Sequence, residues 1–169
     1  MNPEDITWSE WTRGMERFLR LKTFPVGVKL LKDPEEMTKN PWVRRPQEKL
    51  SLCQLITIVR TFDWTVGATA EDMVTPQCAA ILGLAELPEF VTSGDMRSIV
   101  WLEKKEDAAA CERVMQRIPF GTYKAVMLAP TTYDPFVPDM VLIYANPAQM
   151  SLMINAIQFD RFERMVFYS

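Results

Sequence analysis

The chain has 169 residues, 48% of them hydrophobic and 24% charged, with a formal net charge of −3. That is the length of one domain, large enough to bury about 70% of the surface its unfolded chain exposes, so its stability requires neither disulfides nor a metal. The slight acidity argues against a phosphate-backbone binder, which shows a basic face, and the short pairs Arg44-Arg45 and Lys104-Lys105 read as solvated surface.

In chain order, Thr7-Trp8-Ser9-Glu10 has the Ser/Thr-x-x-Glu form of a capping box. Trp8, Trp11, Met15, Phe18 and Leu19 then recur at steps of three and four, which predicts an amphipathic helix over 7–21 with this stripe facing the core; a partly exposed stripe would suit an oligomer interface. Pro25 ends the pattern, and Val26, Val28 and Leu30 alternate with Gly27 and Lys29 as a strand over 26–31. Residues 32–48 hold Pro34, Pro41 and Pro46 among charges, a long irregular stretch of the kind that is often functional or mobile. Leu52, Leu55, Ile56 and Val59 suit a helix over 51–60, while the β-branched Ile56, Ile58 and Val59 keep a buried strand in play. A turn and strand follow over 63–70, the strand itself at 64–69. Pro76, Cys78–Leu82 and Gly83 then read as a short helix with a glycine C-cap.

Residues 105–118 read as a helix with Ala110, Cys111, Val114, Met115 and Ile118 inward. Tyr123–Ala129 and Met140–Ala145 are apolar strands, the first stopped by Pro130 and the second followed by Asn146-Pro147. Asn as N-cap and Pro at the first helical position predict a helix from Pro147 to about Ile157, and Phe162–Tyr168 reads as a last strand. Helices and strands alternate without the strict rhythm of a doubly wound sheet. The expected fold is therefore mixed α/β (α+β): a single domain over 1–169 with a central mixed sheet flanked by helices.

The chain has no histidine. Ser-His-Asp and Cys-His catalysis within the chain and every His-containing metal site are excluded, and acid–base work falls to Asp, Glu, Lys, Tyr or Cys. Three cysteines, an odd number with no close spacing, do not form a secreted disulfide framework. The acidic start lacks the features of a signal peptide, and no apolar run approaches the ~20 residues that span a bilayer. A cytoplasmic protein with reduced thiols, binding neither nucleic acid nor membrane, is expected.

Four pieces together carry a family resemblance: Phe24-Pro25-Val26-Gly27-Val28-Lys29; Leu50-Ser51-Leu52-Cys53-Gln54-Leu55 with Arg60; Cys78 followed by Gly83-Leu84; and Pro138-Asp139-Met140-Val141-Leu142-Ile143-Tyr144 with Asn146-Pro147. In order and spacing, from about residue 18 onward, they resemble domain of unknown function family 169, an uncharacterised bacterial and archaeal family. None of the four is a catalytic signature. The resemblance implies a shorter, more polar lead into the second cysteine than Thr75-Pro76-Gln77-Cys78, and a C-terminal continuation beyond Ser169 with a further cysteine beside a Gly and an acidic-Arg pair.

Cys53 and Cys78 lie inside family-like motifs near polar residues that would make a thiolate useful, whereas Cys111 sits on an amphipathic helix as a small hydrophobe. If 51–60 is helical, Arg60 lies two turns from Cys53 on the same face, where its charge would favour the thiolate. Cys78, after Pro76, would gain the same from a helix N-terminus. The expectation is that Cys53, Arg60 and Cys78 converge on one pocket. The two thiols would then be either ligands for an iron–sulfur cluster or other sulfur-ligated metal, or a nucleophile and a resolving thiol. Asn146 and Pro147 open a helix beyond a strand, a place that receives a phosphate or carboxylate of a small-molecule ligand or serves as an ordinary cap. Asp134, Asp139 and Glu71-Asp72 are the most loop-like acids and read as solvated surface before paired carboxylates or a Mg²⁺ site. No dinucleotide or Walker A fingerprint is present. Two functional classes remain open: a domain binding a small molecule or sulfur-ligated cofactor near Cys53 and Cys78, or a non-catalytic accessory or assembly subunit that recruits a partner enzyme or a second copy of itself.

Overall fold

Each strand puts alternate residues on opposite faces of one sheet, and both faces are covered. The computed structural model describes residues 7–161. Its elements in order are α1 (Trp8–Leu19), β1 (Val26–Leu31), a 3₁₀ segment (Pro34–Lys39), β2 (Val43–Arg44), α2 (Leu52–Phe62), β3 (Thr65–Thr69), a 3₁₀ turn (Ala70–Asp72), α3 (Pro76–Ile81), α4 (Glu89–Thr92), α5 (Asp95–Val100), α6 (Lys105–Val114), β4 (Ala125–Pro130), β5 (Met140–Leu142) and α7 (Pro147–Arg161). The strand order is β2-β3-β4-β1-β5. β2 runs parallel to β3 and every other neighbouring pair is antiparallel, so the sheet is mixed and the fold is α+β.

The 51–60 segment is a helix. Ser51 and Gln54 form a reciprocal capping box, with Gln54 N–H donating to Ser51 Oγ at 3.2 Å and Ser51 N–H donating to Gln54 Oε1 at 2.8 Å. Those caps satisfy donors that a strand would have placed in a ladder. Leu55, Ile56 and Val59 of α2 pack on Val26 and Val28 of β1, Val66 and Ala68 of β3, and Val126 and Leu128 of β4. The opposite face carries a smaller cluster of Leu31, Met37, Ala125 and Met127, with Val43 and Phe136 packed against it. Gly67 belongs to that second face because Met37 leaves no room for more. A Cβ there would lie 2.7 Å from Met37 Sδ and from Val43 Cγ1.

The predicted strands at 26–31, 64–69, 123–129 and 140–145 are all present in the one sheet, the last ending early at Leu142. The predicted strand over 162–168 lies outside the described residues. Two predicted faces are corrected. α1 buries Ser9, Thr12 and Met15, not the aromatic stripe; Trp11 and Phe18 are exposed and Trp8 is half-buried. The reason is a polar seam: the Thr12 hydroxyl bonds to Thr131, and Ser9 N–H donates to Asp134 Oδ1 at 2.7 Å. α6 buries Ala108, Ala109 and Glu112, while Ala110, Cys111, Val114 and Met115 face solvent, and it stops at Val114 rather than 118. Here close approach decides. Gly94, at φ 86°, leads into α5 so near to α6 that a Cβ would lie 2.5 Å from Ala109 N, and only the alanine side of α6 fits.

Candidate functional site

One end of the sheet collects the starts of β1, β2 and β3 and the ends of β4 and β5, as the registers Val43↔Thr65, Val26↔Pro130 and Val26↔Leu142 require. Three loops leave that end and frame a cleft of about 600 Å³ lined by Pro41, Trp42, Arg44, Asp63, Trp64, Thr65 and Tyr133. Trp42 is held by its loop: its backbone N–H donates to Asn40 Oδ1 at 3.0 Å, and Asn40 Nδ2 reaches Pro135 O at 3.4 Å. Asp63 ends α2 in the left-handed region at φ 60°, which turns the chain at once into β3 and sets Trp64 at the rim.

The cleft walls are aromatic and the fittings polar. Trp42, Trp64 and Tyr133 are 71%, 43% and 42% exposed. The Arg44 guanidinium lies 4.2 Å from the Trp64 ring centroid, and Phe62 packs tilted against Trp64 at 5.9 Å. The Tyr133 and Thr65 hydroxyls share a hydrogen bond of 2.7 Å, and Thr132 Oγ1 donates to Asp63 Oδ1 at 3.3 Å. Burial lifts the Tyr133 phenol above its ordinary value, against the lowering pull of the Thr65 bond, so the phenol is protonated at neutral pH. The result is a set of flat apolar surfaces with one cation and one carboxylate beside them, suited to a ring that carries polar groups.

A second groove, of about 590 Å³, runs between α1 and the edge strand β5. Trp8 and Trp11 meet there edge to face, with centroids 5.8 Å apart. Asp139 on its rim is occupied: Lys29 Nζ donates to Oδ1 at 3.0 Å and Leu30 N–H to Oδ2 at 2.8 Å. Asp134 caps α1 through Ser9, and Asp72 takes Arg45 together with Thr69. These loop acids are fasteners.

Of the residues singled out from the sequence, Cys53 lies exposed in the first turn of α2. Cys78 is half-buried on α3 against the main core, with the Thr75 hydroxyl donating to its sulfur at 2.8 Å. Arg60 is in the last turn of α2, about 10 Å along the axis from Cys53. Its guanidinium carbon sits 3.7 Å from the Tyr144 ring centroid, and among the described residues it bonds to neither thiol. Nor, among those residues, do three of His, Cys, Asp and Glu gather closely enough to hold a metal. Arg60 is instead brought beside the segment that leads to Asn146-Pro147. There Asn146 and Gln149 cap each other at 2.8 and 2.9 Å, and Gln149 Nε2 donates to Leu19 O and Arg20 O, pinning α7 to the end of α1.

Sequence reasoning passed over Trp42, Trp64 and Tyr133. The one available signal was the irregular 32–48 stretch, which carries Trp42; nothing local ties it to Trp64 or to Tyr133.

The fold and cleft define an α+β domain with an aromatic recess at one end of a mixed sheet. The chain belongs to the family DUF169, described as Uncharacterised ArCR, whose model matches residues 14–169. No curated protein and no solved structure matches it.

Proposed function

We propose that this protein is a small-molecule-binding domain whose site is the cleft between Trp42, Trp64 and Tyr133. The observation that carries the reading is the convergence of three partly exposed aromatic rings, from three separate segments, on one recess of about 600 Å³. Exposed apolar surface rimmed by polar groups marks a binding site, and aromatic faces supply contact area at low entropic cost. A planar or ring-bearing ligand would lie on Trp42 and Tyr133, with an acidic group toward Arg44 and a hydroxyl or amine toward Asp63. Saturation-transfer NMR with a library of ring-containing fragments tests this. Hits should quench tryptophan fluorescence and lose about tenfold in affinity in Trp64→Ala, with Trp11→Ala unaffected. Hits that survive Trp64→Ala unchanged would overturn the assignment.

The thiol-centred version, with Cys53 and Cys78 holding a sulfur-ligated cofactor, has less support. The two cysteines lie on separate helices, and no third ligand accompanies them among the described residues. The alternative of an accessory or assembly subunit draws on a separate observation. α7 carries no charged side chain from Pro147 to Phe159, and its Leu152, Ile157 and Phe159 are exposed, as are Trp11 and Phe18 of α1. Among the described residues no helix is long and apolar enough to cross a membrane, and we read the protein as cytoplasmic.

A further inference from the structure

Arg60 is out of step with the other half-buried arginines. Arg97 and Arg117 both close on the Glu112 carboxylate, but among the described residues no acceptor meets the side-chain Nε–H of Arg60. Its Nε is buried and unpartnered, in a residue that is half-buried as a whole. Its guanidinium meets a ring: Tyr144, 46% exposed, lies under it at 3.7 Å. A buried charged N–H without an acceptor costs free energy, more than a neutral one would. Lying over an aromatic face also strips water from one side of the guanidinium, which strengthens the bonds its terminal N–H groups make to an oxyanion.

We infer that Arg60, held over the Tyr144 ring, is a receptor for an oxyanion, the carboxylate or phosphate of a small acidic ligand. The backbone keeps it in place, since Phe24 N–H donates to Arg60 O at 3.1 Å and ties the last turn of α2 to the chain entering β1. Neither Arg60 nor Tyr144 is among the residues that line the aromatic cleft.

The test is a titration of the full chain, read at the arginine Nε–Hε resonances by NMR. Sodium acetate and inorganic phosphate are the two probes, each against sodium chloride at matched ionic strength. The Arg60 resonance, assigned by its loss in Arg60→Lys, should shift and saturate. The probe that saturates at lower concentration tells carboxylate from phosphate. Tyr144→Leu should weaken the stronger probe several-fold, and Trp64→Ala should leave it unchanged, so failure here is separable from failure of the cleft. A resonance that does not move, or that moves equally in chloride, would leave Arg60 a packing residue on Tyr144. Triple-resonance assignment of the wild-type chain identifies the Arg60 resonance independently, so its titration decides this even if a variant fails to fold.

Discussion

At the scale of single residues, the polar groups of this protein divide into fasteners and unspent groups. Asp139 is a fastener. Burial pushes its carboxyl up, but the Leu30 amide and the Lys29 ammonium outweigh that and hold it below the ordinary aspartate value. A depressed folded-state value stabilises the fold above the unfolded pKa of about 4 and is lost as pH falls through the lower folded value. Urea midpoints taken from pH 7 down to about pH 3 should therefore fall in the wild type and fall less steeply in Asp139→Asn. Equal acid limbs would show that the ion pair contributes nothing. Asp134, Asp139 and Asp72 were readable as loop acids, but their partners Ser9, Lys29 and Arg45 lie far off in sequence, so their roles were not.

At the scale of elements, α5 and α6 form a unit held by one buried carboxylate. Glu112 is 4% exposed in its side chain and receives both Arg97 and Arg117, while Arg117 Nη1 also donates to Glu112 O at 2.9 Å. Removing the acid strands two half-buried cations, so Glu112→Ala should cost about 3 kcal/mol of unfolding free energy, as breaking a buried pair does. Chemical denaturation would measure it, and a loss below about 1 kcal/mol would mean the arginines simply swing into water. The helix itself was legible from its apolar spacing. Its face was not, because the approach of Gly94 selects the small Ala108 and Ala109 over the larger apolar residues. α1 repeats the lesson. Its capping box and period predicted a helix correctly, yet hydroxyl contacts from Thr12 to Thr131 turned the tryptophan stripe away from the core.

At the scale of the whole molecule, α1 and α7 are joined by Gln149 and expose Trp11, Phe18, Leu152, Ile157 and Phe159. If this surface assembles the chain with a second copy, light scattering should give a mass above the monomer, and Leu152→Lys with Phe159→Lys should return it to the monomer. A strict monomer in the wild type would remove that reading and leave the cleft and Arg60 as the proposed binding surfaces. What the sequence determined by itself is the α+β class, the positions of the four strands it placed in one sheet and the capped starts of α1 and α7. These follow from caps, prolines and apolar periods that act within a few residues along the chain. Only the tertiary structure decided which faces are buried, that Arg60 lies on Tyr144, and that Trp42, Trp64 and Tyr133 share a recess. Those outcomes depend on strand order and register, which join segments such as Thr65 and Tyr133 across 68 positions, and no local preference encodes a contact at that distance.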